Sequence, residues 1–267
     1  MQSISVFFSV IATAALLATA PAAQAGRSCE NHPLTAQAIT QGMALAQRTS
    51  QALDAEHARS GARVVVLGRA GQDLSQYGLR YSHLGWAYKT DQGPWRVLHK
   101  LNSCGTATAS LYRQGLGEFF LDDLWRYQAV WAVPAPALQA PLHALLVDPA
   151  RSVQLHTRAY SMVSYPWATR YQQSNQWALE TLASVVEPGV HSREQAQAWL
   201  RFKGYQPSTL RLGALTRLGA RVSAANVAFD DHPNSKRFAD RIETVTVDSM
   251  LSFMERTGLT GSPQTLE

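Results

Sequence analysis

The sequence predicts an α+β protein: a small antiparallel sheet with helices packed around it. Three observations carry this. Strand-like runs gather in the first half, helical patterns dominate the final third, and Asp91-Gln92-Gly93-Pro94 is a turn signal suited to a hairpin. No internal repeat or low-complexity linker interrupts residues 26–267, which read as one α+β domain.

Residues 1–25 read as a cleaved signal peptide. Residues 7–17 form an apolar stretch too short to span a bilayer, and Ala23-Gln24-Ala25 has the small-x-small form of a cleavage site. No later stretch reaches the roughly 18 apolar residues of a membrane span, so the mature chain is expected to be periplasmic or secreted, with no transmembrane segment. Residues 35–59 predict a helix with Ile39, Met43, Ala46 and Leu53 on its inner face and Gly61 as its stop. Residues 62–67 (ARVVVL) are a continuous β-branched run, the pattern of a strand buried on both faces. Residues 81–89 and 95–101 flank the turn signal and predict the hairpin. A helix over residues 106–114 and a strand over 127–133 follow. Pro134 and Pro136 then break the chain before a helix over 137–147. Pro166 keeps residues 160–170 irregular.

Residues 174–186 predict a helix ended by Pro188-Gly189, with Ser174 as its N-cap. Ser192 and Gln195 form a capping box for the next, which stops at Gly204. A third helix is expected over 208–218, a strand over 242–247, and a last helix capped by Asp248 and ending at Gly258.

The net charge of +5 is dispersed, with no basic run. That favours anionic envelope surfaces as neighbours and gives no support to nucleic-acid binding. The two cysteines, Cys29 and Cys104, are expected to pair as a disulfide in an oxidising compartment. The alternative is a nucleophilic Cys104 at a helix start.

His83 lies in S-H-L-G-W, where strand alternation puts His83, Gly85 and Ala87 on one face and Leu84, Trp86 and Tyr88 on the other. The small Gly85 predicts open space over the imidazole for a substrate. His99, on the partner strand, stands where one imidazole orients another, as the third member of a triad orients its base. Ser174 opens a helix whose N-terminal field favours developing negative charge, and His83 is the base that would activate it. The bland reading of Ser174 is a helix cap, and that of His83 is a loop contact on a half-buried sheet. Asn175, Gln176, Asp231 and His232 are the candidate binding residues. Asp230, Asp231 and His232, with His156 or His191, also have metal-ligand chemistry. A turn before Pro233 with a local Asp–His contact explains that cluster without a metal, so no metal or cofactor is expected. G-x-S-x-G, Walker and Gly-rich dinucleotide motifs are absent, which leaves those enzyme classes without support.

The ordered segments YSHLGWAY, VLHKLNSCGT, LYRQGLGEFFLDDL, YQQSNQWALE, AQAWLRFKGYQPSTL, FDDHP and VTVDS resemble the bacterial exported proteins grouped as domain-of-unknown-function family 2145. That likeness covers nearly the whole mature chain and implies no activity, since the family is named for lacking one. A second resemblance is to circularly permuted papain-like, NlpC-related hydrolases and acyltransferases. There an H-x-G strand comes first, a polar residue follows on the next strand, and a nucleophilic cysteine opens a later helix. It implies His83 as base, His99 as orienting group and Ser174 or Asn175 at the nucleophile's position, where this chain lacks the cysteine. The functional expectation is a hydrolase or acyltransferase acting on an amide or ester of the envelope, a cell-wall peptide or lipid. The alternative is a non-catalytic envelope protein that binds a ligand or partner in the same cleft, with Trp86, Trp167 and Trp177 as contacts; core packing is the bland reading of those residues.

Overall fold

A computed structural model describes residues 33–91 and 93–267. The expected signal peptide and Cys29 lie outside them. Helix α1 (Ala36–Ser60) starts where the Thr35 hydroxyl accepts from the Ala38 N–H, and it ends at Gly61, whose φ of 73° is the left-handed conformation glycine adopts without strain. Its buried stripe runs through Gly42, Leu45, Ala46, Thr49, Leu53 and Glu56. Ile39 and Met43, expected inside, are exposed. The reason is close approach: a Cβ on Gly42 would stand 2.9 Å from the Phe120 carbonyl oxygen, so the helix turns its glycine toward its neighbour. Hydrophobic periodicity does not register that contact.

Strands β1 (Val64–Arg69), β2 (His83–Lys89) and β3 (Trp95–Asn102) form an antiparallel meander, with the predicted hairpin between β2 and β3. The helix expected over 106–114 is instead strand β4 (Ala109–Gly115), paired to β3 along seven residue pairs. Its Ala, Ser, Leu and Gln content suits either state, and the open edge of β3 decided it. Next come α2 (Leu116–Phe120), β5 (Ala129–Ala132), α3 (Pro136–Val147), α4 (Pro149–Ser152), α5 (Ser174–Val186) and α6 (Arg193–Phe202). The Ser192–Gln195 capping box is present, and residues 160–170 are irregular.

The helix expected over 208–218 splits into β6 (Ser208–Arg211) and α7 (Ala214–Ser223), with Gly213 as the cap between. Short α8 (Asn234–Arg237), β7 (Arg241–Thr244), α9 (Val247–Arg256) and β8 (Gln264–Leu266) complete the chain. Thr246, not Asp248, caps α9 through a box with Ser249. The class is α+β: an antiparallel sheet ordered β4-β3-β2-β1-β5-β8, with a separate β6–β7 ribbon.

The sheet is covered on both faces. Leu84, Trp86 and Tyr88 of β2 pack with Trp177, Ala178, Leu179 and Leu182 of α5. Ala87 and Val97 face the other way, onto Leu45 and Leu53 of α1 and Phe119 and Phe120 of α2. The predicted alternation of β2 is therefore observed, and it sets which face each candidate side chain occupies.

Candidate functional site

Two sequence-predicted residues meet. His83 Nε2 and His99 Nδ1 are 2.8 Å apart, and His99 Nε2 is 2.8 Å from Gln114 Oε1 on β4. Burial, reinforced by the nearby Arg69 guanidinium, holds His99 at about 3, and burial with Arg69 and His99 holds His83 well below the usual histidine value. Both rings are therefore neutral at pH 7. The Gln114 carbonyl oxygen accepts from His99 Nε2–H, which leaves His99 Nδ1 as acceptor for the His83 Nε2–H. The relay ends on the lone pair of His83 Nδ1, which has no partner among the described residues. Gln114 escaped sequence reading because its segment was read as a helix.

The open space predicted over His83 is filled. A Cβ on Gly85 would lie 2.8 Å from both His99 Cβ and Val97 Cγ1, so the glycine lets β3 pack directly against β2. Phe119 covers both imidazoles, with ring centroids 5.9 Å from His83 and 5.3 Å from His99. The histidines thus lie on the α1–α2 face.

Helix α5 approaches from the other face, and its first residues do something unforeseen. The β2–β3 ladder stops at Trp86↔Leu98. Continued by two residues, it would pair the Leu84 N–H with the Lys100 carbonyl. Instead the Leu84 N–H donates to Asn175 Oδ1 at 3.1 Å, and the Ser174 hydroxyl donates to the Lys100 carbonyl at 2.6 Å. The two side chains replace the missing ladder bonds where the strands part. Ser174 is not the N-cap either: Gln173 is, accepting from the Asn175 N–H. Among the described residues no hydrogen bond joins Ser174 to His83. The structure joins His83 to His99, and the Ser174 hydroxyl bonds to the Lys100 carbonyl instead of to either ring.

Behind this wedge runs a buried polar network. Lys100 Nζ donates to Gln172 Oε1 at 2.8 Å and to the Thr157 carbonyl at 2.6 Å. Burial, helped by Arg193 and opposed by Glu180, brings the Lys100 amine down to about 6. Glu180, with no exposed surface, accepts from Arg193, Gln172, Gln176 and Gln197. Gln176 Oε1 accepts from the Ser164 hydroxyl at 2.6 Å. Asn175 and Gln176, predicted as binding residues, are thus engaged inside the fold.

The Asp231–His232 pair is also a clasp. His232 Nδ1 lies 2.9 Å from Asp231 Oδ1 and its Nε2 lies 2.9 Å from the Glu243 carbonyl, while Asp231 Oδ2 accepts from the Tyr165 N–H at 2.7 Å. Neither ring nitrogen is left for a metal, and among the described residues no group of three metal-ligating side chains gathers. Trp86 and Trp177 are core residues; only Trp167 is partly exposed, with Arg201 over its ring at 4.6 Å. Cys104 sits in the exposed β3–β4 turn, away from any helix start.

The fold and site define a mixed α+β protein with a histidine relay on one sheet face and a buried polar wedge on the other. The profile of a bacterial family described as "Uncharacterized protein conserved in bacteria (DUF2145)" matches residues 56–254, and the chain belongs to that family. No curated protein and no solved structure matches it.

Proposed function

We propose that the chain is an exported envelope protein that binds envelope material, a peptide, ester or lipid, without turning it over at Ser174. One observation carries this reading: the Ser174 hydroxyl spends its proton on the Lys100 carbonyl, in a bond that closes a split in the sheet. A serine nucleophile needs a base that takes that proton. The apolar stretch over 7–17 and Ala23-Gln24-Ala25 support export, and an oxidising compartment supports a Cys29–Cys104 disulfide.

The test is labelling with a fluorophosphonate, together with assays on wall peptides, esters and acyl lipids. The expected result is no adduct at Ser174 and no hydrolysis, while the protein co-sediments with isolated cell-wall sacculi or acyl lipids. Ser174→Ala should lower stability by about 1 kcal/mol, the worth of one buried hydrogen bond. Covalent labelling at Ser174, or hydrolysis that disappears in His83→Ala, would overturn the proposal.

That second outcome belongs to the competing reading, a papain-like hydrolase or acyltransferase. The His83–His99–Gln114 relay favours it, because it orients a neutral base with its lone pair unengaged.

A further inference from the structure

An amine, a carboxamide and a carboxylate meet behind the Ser174 wedge. They belong to Lys100 on β3, Gln172 in the loop before α5, and Glu180 on α5, and none of the three residues has exposed surface. The Gln172 carboxamide is pinned at both ends. Its Oε1 accepts from Lys100 Nζ at 2.8 Å and from the Thr157 N–H at 2.9 Å. Its Nε2 donates to Glu180 Oε2 at 2.6 Å and to the Leu155 carbonyl at 2.8 Å. Since a C=O bond is about 1.2 Å long, Lys100 Nζ stands no farther than about 4 Å from the amide carbon. Groups held this way react as though highly concentrated, because orientation and desolvation precede the bond-making step.

The surroundings suit each group to a part. Burial brings the Lys100 amine down to about 6, so at pH 7 most of it is neutral and nucleophilic. Its N–H bonds are directed at Gln172 and at the Thr157 carbonyl, and rotation about the Cε–Nζ bond carries its lone pair over the amide carbon. The Thr157 N–H already points at the oxygen on which negative charge develops during such an attack. Glu180, paired with Arg193 at 2.7 Å, has Oε2 against the nitrogen that would leave. The lack of exposed surface makes Lys100 the nearest nucleophile to this amide.

We propose that Lys100 and Gln172 condense into an isopeptide bond, which staples β3 to the loop before α5 across 72 positions of sequence. Nζ attacks the amide carbon, and the Thr157 N–H holds the resulting oxyanion. Glu180 takes one proton from Nζ and passes it to Nε2. The bond from the amide carbon to Nε2 then breaks. The products are a secondary amide and one ammonia, the carboxylate is regenerated, and no oxidant or cofactor is consumed. The staple is a separate property from envelope binding and does not depend on it.

The test is mass spectrometry of the purified and reduced mature chain, whole and after trypsin. The expected intact mass is lower than that of the sequence by one ammonia. Trypsin should release a branched peptide joining residues 97–113 to 171–193, since it cuts after Arg96, Arg113, Arg170 and Arg193 but not after an acylated Lys100. Lys100→Met, which keeps most of the apolar stem without the amine, should have full mass and no branched peptide. Glu180→Gln, sampled from the start of expression, should form the bond slower by roughly a hundredfold or more. A wild-type chain at full mass that yields only linear peptides overturns the proposal and leaves a hydrogen-bonded network. So does an ammonia loss that maps elsewhere or persists in Lys100→Met. Cross-linking of Glu180→Gln at the wild-type rate overturns the role given to Glu180. The wild-type mass decides the bond itself even where a variant does not fold.

Discussion

Replacing Glu180 with leucine should destabilise the protein more than any other change to its interior polar groups. The carboxylate has no exposed surface and lies 2.7 Å from Arg193 Nε, whose side chain is only 6% exposed. Arg193 also donates to the Thr169 and Tyr171 carbonyls at 2.7 and 2.9 Å, so it is anchored and cannot swing out to water with its charge. Breaking a buried pair by removing one partner costs about 3–5 kcal/mol, because the remaining charge stays desolvated. Total stabilities of about 5–15 kcal/mol make that a large fraction. The double variant Glu180→Leu/Arg193→Leu removes both charges and should cost less than the two single variants summed, by about 2 kcal/mol. Urea melts of the four proteins, compared at constant m, read these values. If Glu180→Leu melts within about 1 kcal/mol of wild type, or the two changes simply add, the network is not the clamp described.

The acid sensitivity of the fold should trace to the histidine relay. His99 titrates at about 3 when folded and near 6.5 when unfolded, so the unfolded chain binds more protons between those values. Its stabilising contribution is complete above pH 6.5 and is lost as pH falls through 3. The stability–pH slope over that window should be shallower in His99→Asn; an unchanged slope would assign acid unfolding to other groups. Gly85→Ala should cost about 1–3 kcal/mol by overpacking, because the new methyl meets His99 Cβ and Val97 Cγ1 at 2.8 Å. A thermal melt coincident with wild type would show that β3 yields freely there.

Local chemistry was legible wherever a short segment decides its own structure. Thr35 and Gly61 bound α1, Ser192 and Gln195 open α6, Asp91 to Pro94 turns β2 into β3, and the alternation of β2 correctly sorts His83 from Leu84. The errors fell where a distant partner chose between states of similar local energy. Residues 109–115 became a strand because β3 had an open edge, and Ser208–Arg211 became one because it pairs with β7. The meeting of His83 and His99 was legible because both lie on a predicted hairpin. Gln114 and the true N-cap, Gln173, were not, since each depends on tertiary neighbours.

The sequence by itself determined the α+β class, most element positions and the family, because these follow from periodicity, caps, turns and long motifs. Only the tertiary structure decided what the polar run from Gln172 to Gln176 does. These residues look like a solvated helix start, yet all are buried, and two of them, Ser174 and Asn175, replace backbone hydrogen bonds where two strands separate. The physical reason is that a buried polar group must find a partner. Which partner it finds depends on where β2, β3 and the loop before α5 come to rest, and no local pattern carries that information.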